Sequence, residues 1–486
     1  VMALAELIAS PGCEGGATAV RGIELDSRKV QPGDVFLAMP GELHDGRQFI
    51  EQAVANGASA VIAEPPVAGF VDAVPVPLVE LPELQQESGY LAARFFGEPS
   101  SALHMVGVTG TNGKTTTSRL VAQLMRALGK PCGVIGTLGA SLEDGVAQGG
   151  NTTPDAVSLQ RQLAAWVDEQ VLAVCMEVSS HALVQGRVNG VAFETAVFTN
   201  LSRDHLDYHG SMEAYGRAKL ALFDTDGLRQ VLVNADDPFS ARILDVIGPD
   251  VQAYRYSLQD ASADVVIEQT GFANGRVHGR MRTPWGEGDF ASPLVGHFNL
   301  SNLAAAVAAV VLEGEELEHV LAAVADLQPV PGRMQAIENS LGFQVVVDYA
   351  HTPDALEQAL VALRPYVSGQ LITVFGCGGD RDPGKRQVMG RIACARSDRV
   401  VVTSDNPRGE DPAAILADIE TGCSGKYMLE VDRKKAIEAA VGLARPGDCV
   451  VIAGKGHEDY QIINGEKLYF SDEAEARSAL QMRASV

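Results

Sequence analysis

The chain is poor in cysteine, in positive charge and in long apolar runs. Seven cysteines (13, 132, 175, 377, 394, 423 and 449) are scattered over 486 residues, and no two form a C-x-x-C pair. This odd, sparse set argues against a disulfide framework or a zinc site and suits a reducing, cytoplasmic setting. Lysine and arginine number 38 against 62 aspartates and glutamates, a formal net charge of −24. So acidic a surface argues against non-specific nucleic-acid or anionic-membrane binding. Anionic substrates remain admissible where local basic pockets receive them. No apolar run reaches membrane-spanning length and no signal peptide precedes the first strand, so no membrane partner is expected. Solenoid repeats and low-complexity tracts are also missing. The chain begins at Val1, and a few native residues ahead of it are expected.

What is present is a 46% hydrophobic composition over a length that calls for two to four domains. The organising stretch is V-G-V-T-G-T-N-G-K-T-T-T at residues 106–117. A largely apolar segment, 103–108, runs into Gly110, Thr111, Asn112, Gly113, Lys114, Thr115 and Thr116. A helical pattern follows, with Leu120, Val121, Leu124 and Leu128 on one face. Glycines let backbone N–H groups turn toward phosphate oxygens. The helix N-terminus and Lys114 add positive charge, and the Thr115 hydroxyl suits Mg²⁺. Val108 stands where the strict G-x-x-x-x-G-K-[ST] pattern has glycine. Strand, glycine turn and helix start nonetheless fall in the order that a nucleotide-phosphate loop requires.

The pattern predicts three α/β domains. Residues 1–95 read as a small unit with strands at Val35-Phe36-Leu37-Ala38-Met39 and Ala60-Val61-Ile62-Ala63 and a helix over 49–55. The clusters D-S-R (26–28) and H-D-G-R (44–47) fall in its loops, where plain turn chemistry also accounts for them. Pro75, Pro77 and Pro82 suggest irregular connections there rather than more strands. Residues 96–332 read as a mostly parallel sheet carrying the phosphate loop. Its strands stop at Glu177-Val178-Ser179-Ser180-His181, at Asn200-Leu201-Ser202-Arg203-Asp204-His205 and at Asn234-Ala235-Asp236-Asp237. An antiparallel flap is expected over 251–290, then an alanine-rich helix over 302–312. The segment 327–333 has a hinge composition. Residues 333–486 read as a Rossmann-like domain with four strands, each ending in a polar or glycine cluster. Ligands sit at the carboxyl ends of such strands.

Glu177 and His205 both follow strands of the loop's own domain and are candidate Mg²⁺ ligands. Read alone, His205 is as well explained as a loop or capping histidine. Lys219, one lysine on a helix, reads on composition as solvated.

Taken together, T-G-T-N-G-K-T-T, E-V-S-S-H, N-L-S-R-D-H-L-D-Y-H, A-Y-G-R-A-K-L, H-F-N-L-S-N, P-G-R-M, D-Y-A-H-T-P, D-N-P-R and G-K-G-H-E resemble the Mur ligase family over essentially the whole chain. The resemblance implies a UDP-precursor-binding first domain, a central P-loop ATPase and a Rossmann-like third domain that closes over the site. The implied activity is ATP-dependent amide formation in peptidoglycan synthesis, with meso-diaminopimelate added to UDP-N-acetylmuramoyl-L-alanyl-D-glutamate. It passes through an acyl phosphate and uses ATP and Mg²⁺. Lysine addition at the same step, a folylpolyglutamate-synthetase-like ligase and an inactive nucleotide-binding scaffold are the alternatives. A monomer is expected.

Site residues follow by the same carry-over. Lys114, Glu177, His205 and Lys219 are the implied catalytic set, Lys219 being carbamylated to a carboxylate-like ligand. Thr115, Glu177, His205 and Lys219 would hold Mg²⁺. Asn302, Arg333 and Asp348 would join the phosphate loop in binding ATP, with His351 near the site. Leu25, Ser27, Asn151, Thr152, Thr153, Ser179, Gln185 and Arg187 would bind the UDP substrate. Arg381, Asp405, Asn406, Pro407, Arg408, Gly454 and Glu458 would bind diaminopimelate. Arg408 suits the distal carboxylate and Asp405 an ammonium, whereas lysine would leave a buried Arg408 unpaired.

Overall fold

The computed structural model describes residues 1–485 except 11, 14, 42–43, 72–73, 144–150, 274–275 and 295. Three main sheets occupy residues 22–80, 104–292 and 335–453.

The first sheet is parallel, in the order Gly22–Glu24, Asp34–Ala38, Ala60–Ala63, Leu78–Glu80. Its two middle strands are wholly buried, as continuous apolar runs covered on both faces should be. The strand Leu78–Glu80 corrects the expectation of irregular chain among the prolines. Pro77 and Pro82 flank it, and it lies at the sheet edge, where a missing N–H costs little.

The central sheet has ten strands, and the phosphate-loop strand His104–Thr109 lies between Thr195–Phe198 and Ala173–Glu177. Helices Lys114–Ala127 and His297–Leu312 cover one face, and helix Ala156–Asp168 the other. The His297–Leu312 helix is apolar nearly all round and correspondingly buried from Asn302 to Val311. The expected flap is instead the far half of this sheet. Gln252–Ser257 runs parallel to Gln230–Asn234, and Val265–Ala273 is parallel to it in turn. Within this half, among the described residues, the pairings made by Arg276–Thr283 with its two neighbours are antiparallel. Val265, Ile267, Met281 and Phe290 hold this half down by packing into the central core. Positions 274–275 of that stretch lie outside the described residues.

The third sheet runs Gln335–Ala336, Gln344–Asp348, Cys449–Ala453, Leu371–Phe375, Arg399–Val402, Tyr427–Leu429. The four inner strands are those legible in the sequence. Two short edge strands and the hairpin Tyr460–Ile463/Glu466–Tyr469 were not expected. The linker between the second and third sheets has no regular structure over 327–334. Across it, Arg203 pairs with Asp382 (2.9 Å) and Asn112 Nδ2 donates to Asp354 Oδ2 (3.0 Å).

Candidate active site

The phosphate loop is shaped by its two glycines and the neighbouring strand. Gly110 and Gly113 take φ of 149° and 88°. A Cβ at Gly110 would stand 1.9 Å from Thr199 Oγ1, and one at Gly113 2.5 Å from Asn302 Oδ1. Thr199 Oγ1 donates to the Asn112 carbonyl (2.6 Å), and Asn200 Oδ1 accepts from Asn112 N (2.9 Å). Lys114 Nζ donates to the Gly110 and Thr111 carbonyls at 2.8 and 2.9 Å. Val108 lies inside the strand rather than in the loop, opposite Glu177 in register. That register brings Glu177 to the loop.

Glu177 is 1% exposed. Its Oε2 accepts from Thr115 Oγ1 (3.0 Å) and Thr137 Oγ1 (3.1 Å), and its Oε1 from Thr137 N (2.8 Å). Lys219, on helix Met212–Leu220, is 1% exposed, which corrects the solvated-lysine reading. Its Nζ donates to the Gly110 carbonyl at 2.9 Å and lies 4.3 Å from the centre of the Tyr215 ring. Burial, reinforced by Lys114, holds its ammonium well below the ordinary lysine range. No carboxylate among the described residues pairs with it. His205 takes φ 52° at the start of helix Leu206–His209, with Nε2 3.3 Å from Asp204 Oδ2. Burial lowers its imidazolium to about 3, against the attraction of Asp204, so the ring is neutral. The Tyr215 ring stands 6.0 Å from that of His205.

Two cavities adjoin this centre and another, larger one lies toward the first sheet. One, of about 300 Å³, lies between the second and third sheets, with Gly113, Thr116, Asn302, Arg333, Asp348 and Asp354 among its walls. Arg333 Nη2 donates to Thr115 Oγ1 (3.1 Å), and its guanidinium stacks 4.3 Å from the centre of the Tyr349 ring. Asp348 accepts from Met334 N (2.7 Å) and Ala350 N (2.8 Å), and burial raises its carboxyl.

A second cavity of about 480 Å³ has Leu25, Ser27, Gln185 and Arg187 in its walls. Asn151, Thr152, Thr153 and Ser179 stand outside those walls, the last three toward Glu177. Asn151 is exposed, and Thr152 Oγ1 meets Thr137 Oγ1 at 3.2 Å. Buried Thr153 donates to the Glu177 carbonyl (2.8 Å), and the Thr153 carbonyl accepts from Arg187 (3.0 Å). Ser179 N donates to Thr153 Oγ1 (3.1 Å).

The third cavity, about 160 Å³, gathers Arg381, Asp405, Asn406, Arg408, Gly454 and Glu458 with His205 and His351. Pro407 is buried but does not line it. Arg408 is half-buried at φ 52° and donates from Nη1 to the Gly379 carbonyl (2.8 Å). No carboxylate among the described residues pairs with it. Sequence reasoning missed Asp204, Tyr349 and Lys455. Each stands inside a motif already singled out, beside a residue that was named.

Three family models match in succession: the Mur ligase family catalytic domain over residues 19–95, the Mur ligase middle domain over 108–310 and the Mur ligase glutamate ligase domain over 332–456. A protein of Ectopseudomonas mendocina named UDP-N-acetylmuramoyl-L-alanyl-D-glutamate–2,6-diaminopimelate ligase is 50% identical over 472 residues, 97% of this chain and 96% of its own. This chain belongs to the Mur ligase family. A solved structure of a ligase with the same name covers 99% of both chains at 39% identity and a TM-score of 0.71. The Mycobacterium tuberculosis folylpolyglutamate synthase matches 76% of the chain at 20% identity and TM-score 0.64, a likeness of fold alone. In this Mur ligase the phosphate loop and the two smaller cavities lie where the strand ends of the second and third sheets face each other, while the largest of the three lies against the first sheet.

Proposed function

We propose that this Mur ligase is an ADP-forming ligase joining meso-2,6-diaminopimelate to the D-glutamate γ-carboxylate of UDP-N-acetylmuramoyl-L-alanyl-D-glutamate. The observation that carries the amino-acid choice is Arg408, a guanidinium facing the third cavity and paired with no described carboxylate. A distal carboxylate would meet it as a bidentate partner. Lysine offers none. The large cavity between residues 25–88 and 155–187 takes the UDP part, the cavity beside the phosphate loop ATP and the third cavity the amino acid.

The reaction makes a poor electrophile reactive in two steps. The γ-carboxylate oxygen attacks the γ-phosphorus and the bond to ADP breaks, giving an acyl phosphate. The diaminopimelate amine then attacks the acyl carbon, losing a proton, and phosphate leaves with the C–O bond electrons. Positioning and charge stabilisation are the protein's contributions. Arg333 reaches Thr115 from the third domain while Lys114 Nζ sits over the loop carbonyls, so cationic side chains from two domains would face the transferring phosphoryl group.

The donors fit Mg²⁺: the Thr115 hydroxyl, the Glu177 carboxylate and the neutral His205 imidazole, with Lys219 after carbamylation. Burial disfavours the Lys219 ammonium, and the free amine can add to CO₂, forming an N–C bond and releasing a proton. The ammonium form can neither add nor ligate. Bound there, Mg²⁺ would neutralise phosphoryl charge. Among the described residues no helix is long and apolar enough to cross a membrane. The test is phosphate release with ATP and the UDP-dipeptide, diaminopimelate and lysine being compared side by side. Release with diaminopimelate alone supports the reading, and equal use of lysine refutes it.

A further inference from the structure

Lys455 has no part in the chemistry above, yet it is 0% exposed and stands directly beneath the third cavity. It follows the inner strand Cys449–Ala453 between Gly454 and Gly456, whose φ values of 124° and 55° turn its side chain back under the strand ends. Its Nζ donates to Glu458 Oε2 (3.0 Å) and Asn406 Oδ1 (3.1 Å). Asp405 Oδ1 lies 3.5 Å away; it is buried and accepts no hydrogen bond from a described residue. Asn406 Nδ2 in turn donates to the same Glu458 oxygen (3.1 Å). One ammonium therefore fixes three side chains that face the amino acid.

Charge makes this more than a scaffold. Asp405, Glu458, Asp204 and Asp207 bring negative charge to the cavity, and Arg381, Arg408 and Lys385 bring positive. Arg433 also acts on Asp405 from behind. Without Lys455, Asp405 and Glu458 would lose their nearest cation. The cavity would then repel a distal carboxylate and favour a ligand whose distal end is only cationic. We propose that Lys455 is a specificity-determining positioning residue, which orients Asn406 and Glu458 and cancels the charge of Asp405 so that a distal carboxylate is accepted. This rests on the diaminopimelate reading of the same cavity.

The test compares Lys455→Met and Lys455→Arg with the wild-type full chain. Three quantities are read: the KM for diaminopimelate, the inhibition constant of lysine against diaminopimelate addition, and ADP-to-ATP exchange with the UDP-dipeptide and no amino acid. For Lys455→Met the ratio of the lysine inhibition constant to the diaminopimelate KM should fall by at least about tenfold. Lys455→Arg, which keeps the charge, should stay within about threefold of the wild-type ratio even if it is slower. An unchanged ratio in Lys455→Met would overturn the inference, because a scaffold role weakens both ligands alike. Loss of exchange in both variants would overturn it too, by placing Lys455 in the general frame. Failure of the wild type to use diaminopimelate would count instead against the functional reading.

Discussion

The ion pair between Arg433 and Asp472 offers the sharpest test of how the third sheet holds its pocket. Both side chains are 0% exposed. Arg433 Nε and Nη2 reach the two Asp472 oxygens at 2.7 Å each. The guanidinium also donates to the Ser404 carbonyl (3.1 Å) and the Ala453 carbonyl (3.0 Å), the residues just before Asp405 and Gly454. Asp472→Ala would leave a buried guanidinium without its counter-charge, at a cost of roughly 3–5 kcal/mol. For a unit of this size each kcal/mol is worth about 2–4 °C, so its unfolding transition should drop by roughly 6–20 °C. The double replacement Arg433→Met with Asp472→Leu removes both charges and should recover most of that loss. It should not restore the KM for the amino acid, because the tie between the two pocket loops is gone. Scanning calorimetry and amino-acid titration of both variants provide the readout. A melting change under about 2 °C for Asp472→Ala, or a double variant no better than the single one, would refute the reasoning.

Arg408→Ala should lower kcat/KM for diaminopimelate by about 30- to 150-fold, the equivalent of roughly 2–3 kcal/mol for a half-buried charge pair. ADP-to-ATP exchange should hold, and equal loss of both would place Arg408 elsewhere. Lys219→Ala should abolish ligase activity, and short carboxylic acids should restore part of it if a carbamate stands there; no rescue would count against the carbamate. His457 is a base held neutral by burial and by nearby Arg333, with its imidazolium lowered to about 3. The unfolded chain therefore takes this proton first, and stability falls by up to about 1.4 kcal/mol per pH unit between roughly pH 6 and pH 4. His457→Gln should flatten that part of a denaturation-versus-pH curve, and an unchanged slope would assign it to other groups. Arg203→Ala removes the ion pair to Asp382 across the linker and should loosen docking of the third domain. X-ray scattering that is identical for variant and wild type, with and without an ATP analogue, would reject closure.

Much of the architecture was legible because parallel strands buried on both faces leave unbroken apolar runs. Residues 171–176, 345–347 and 450–452 showed themselves in that way. Short edge strands such as Leu78–Glu80 and Tyr427–Leu429 have little burial to impose a pattern, and prolines hid the first. The flap expected over 251–290 was antiparallel only in its later strands and was misplaced, since local alternation does not say which sheet a strand joins. At the site, the phosphate loop followed from local chemistry. Lys219 did not: its burial depends on a helix packed beneath Gly110, more than 100 positions away in sequence, and only the family resemblance pointed to it. Lys455 was invisible for the same reason, because its partners Asp405 and Asn406 come from a different strand.

Gly332 and Gly456 meet back to back. A Cβ on Gly332 would lie 2.2 Å from His457 N, and one on Gly456 2.7 Å from the Gly332 carbonyl oxygen. The connector between the two larger domains is thereby fastened to the very loop that carries Lys455 and Glu458. Arg333, next along the chain, stacks on Tyr349, whose hydroxyl reaches Glu458 Oε1 at 3.4 Å. The group that touches Thr115 and the groups that line the third cavity thus stand in one connected block. Any swing of that block would carry the phosphate-side cation and the proposed amino-acid seat together. An acyl phosphate would meet its cation and its acceptor in one stroke, and water would have little time to take the acceptor's place.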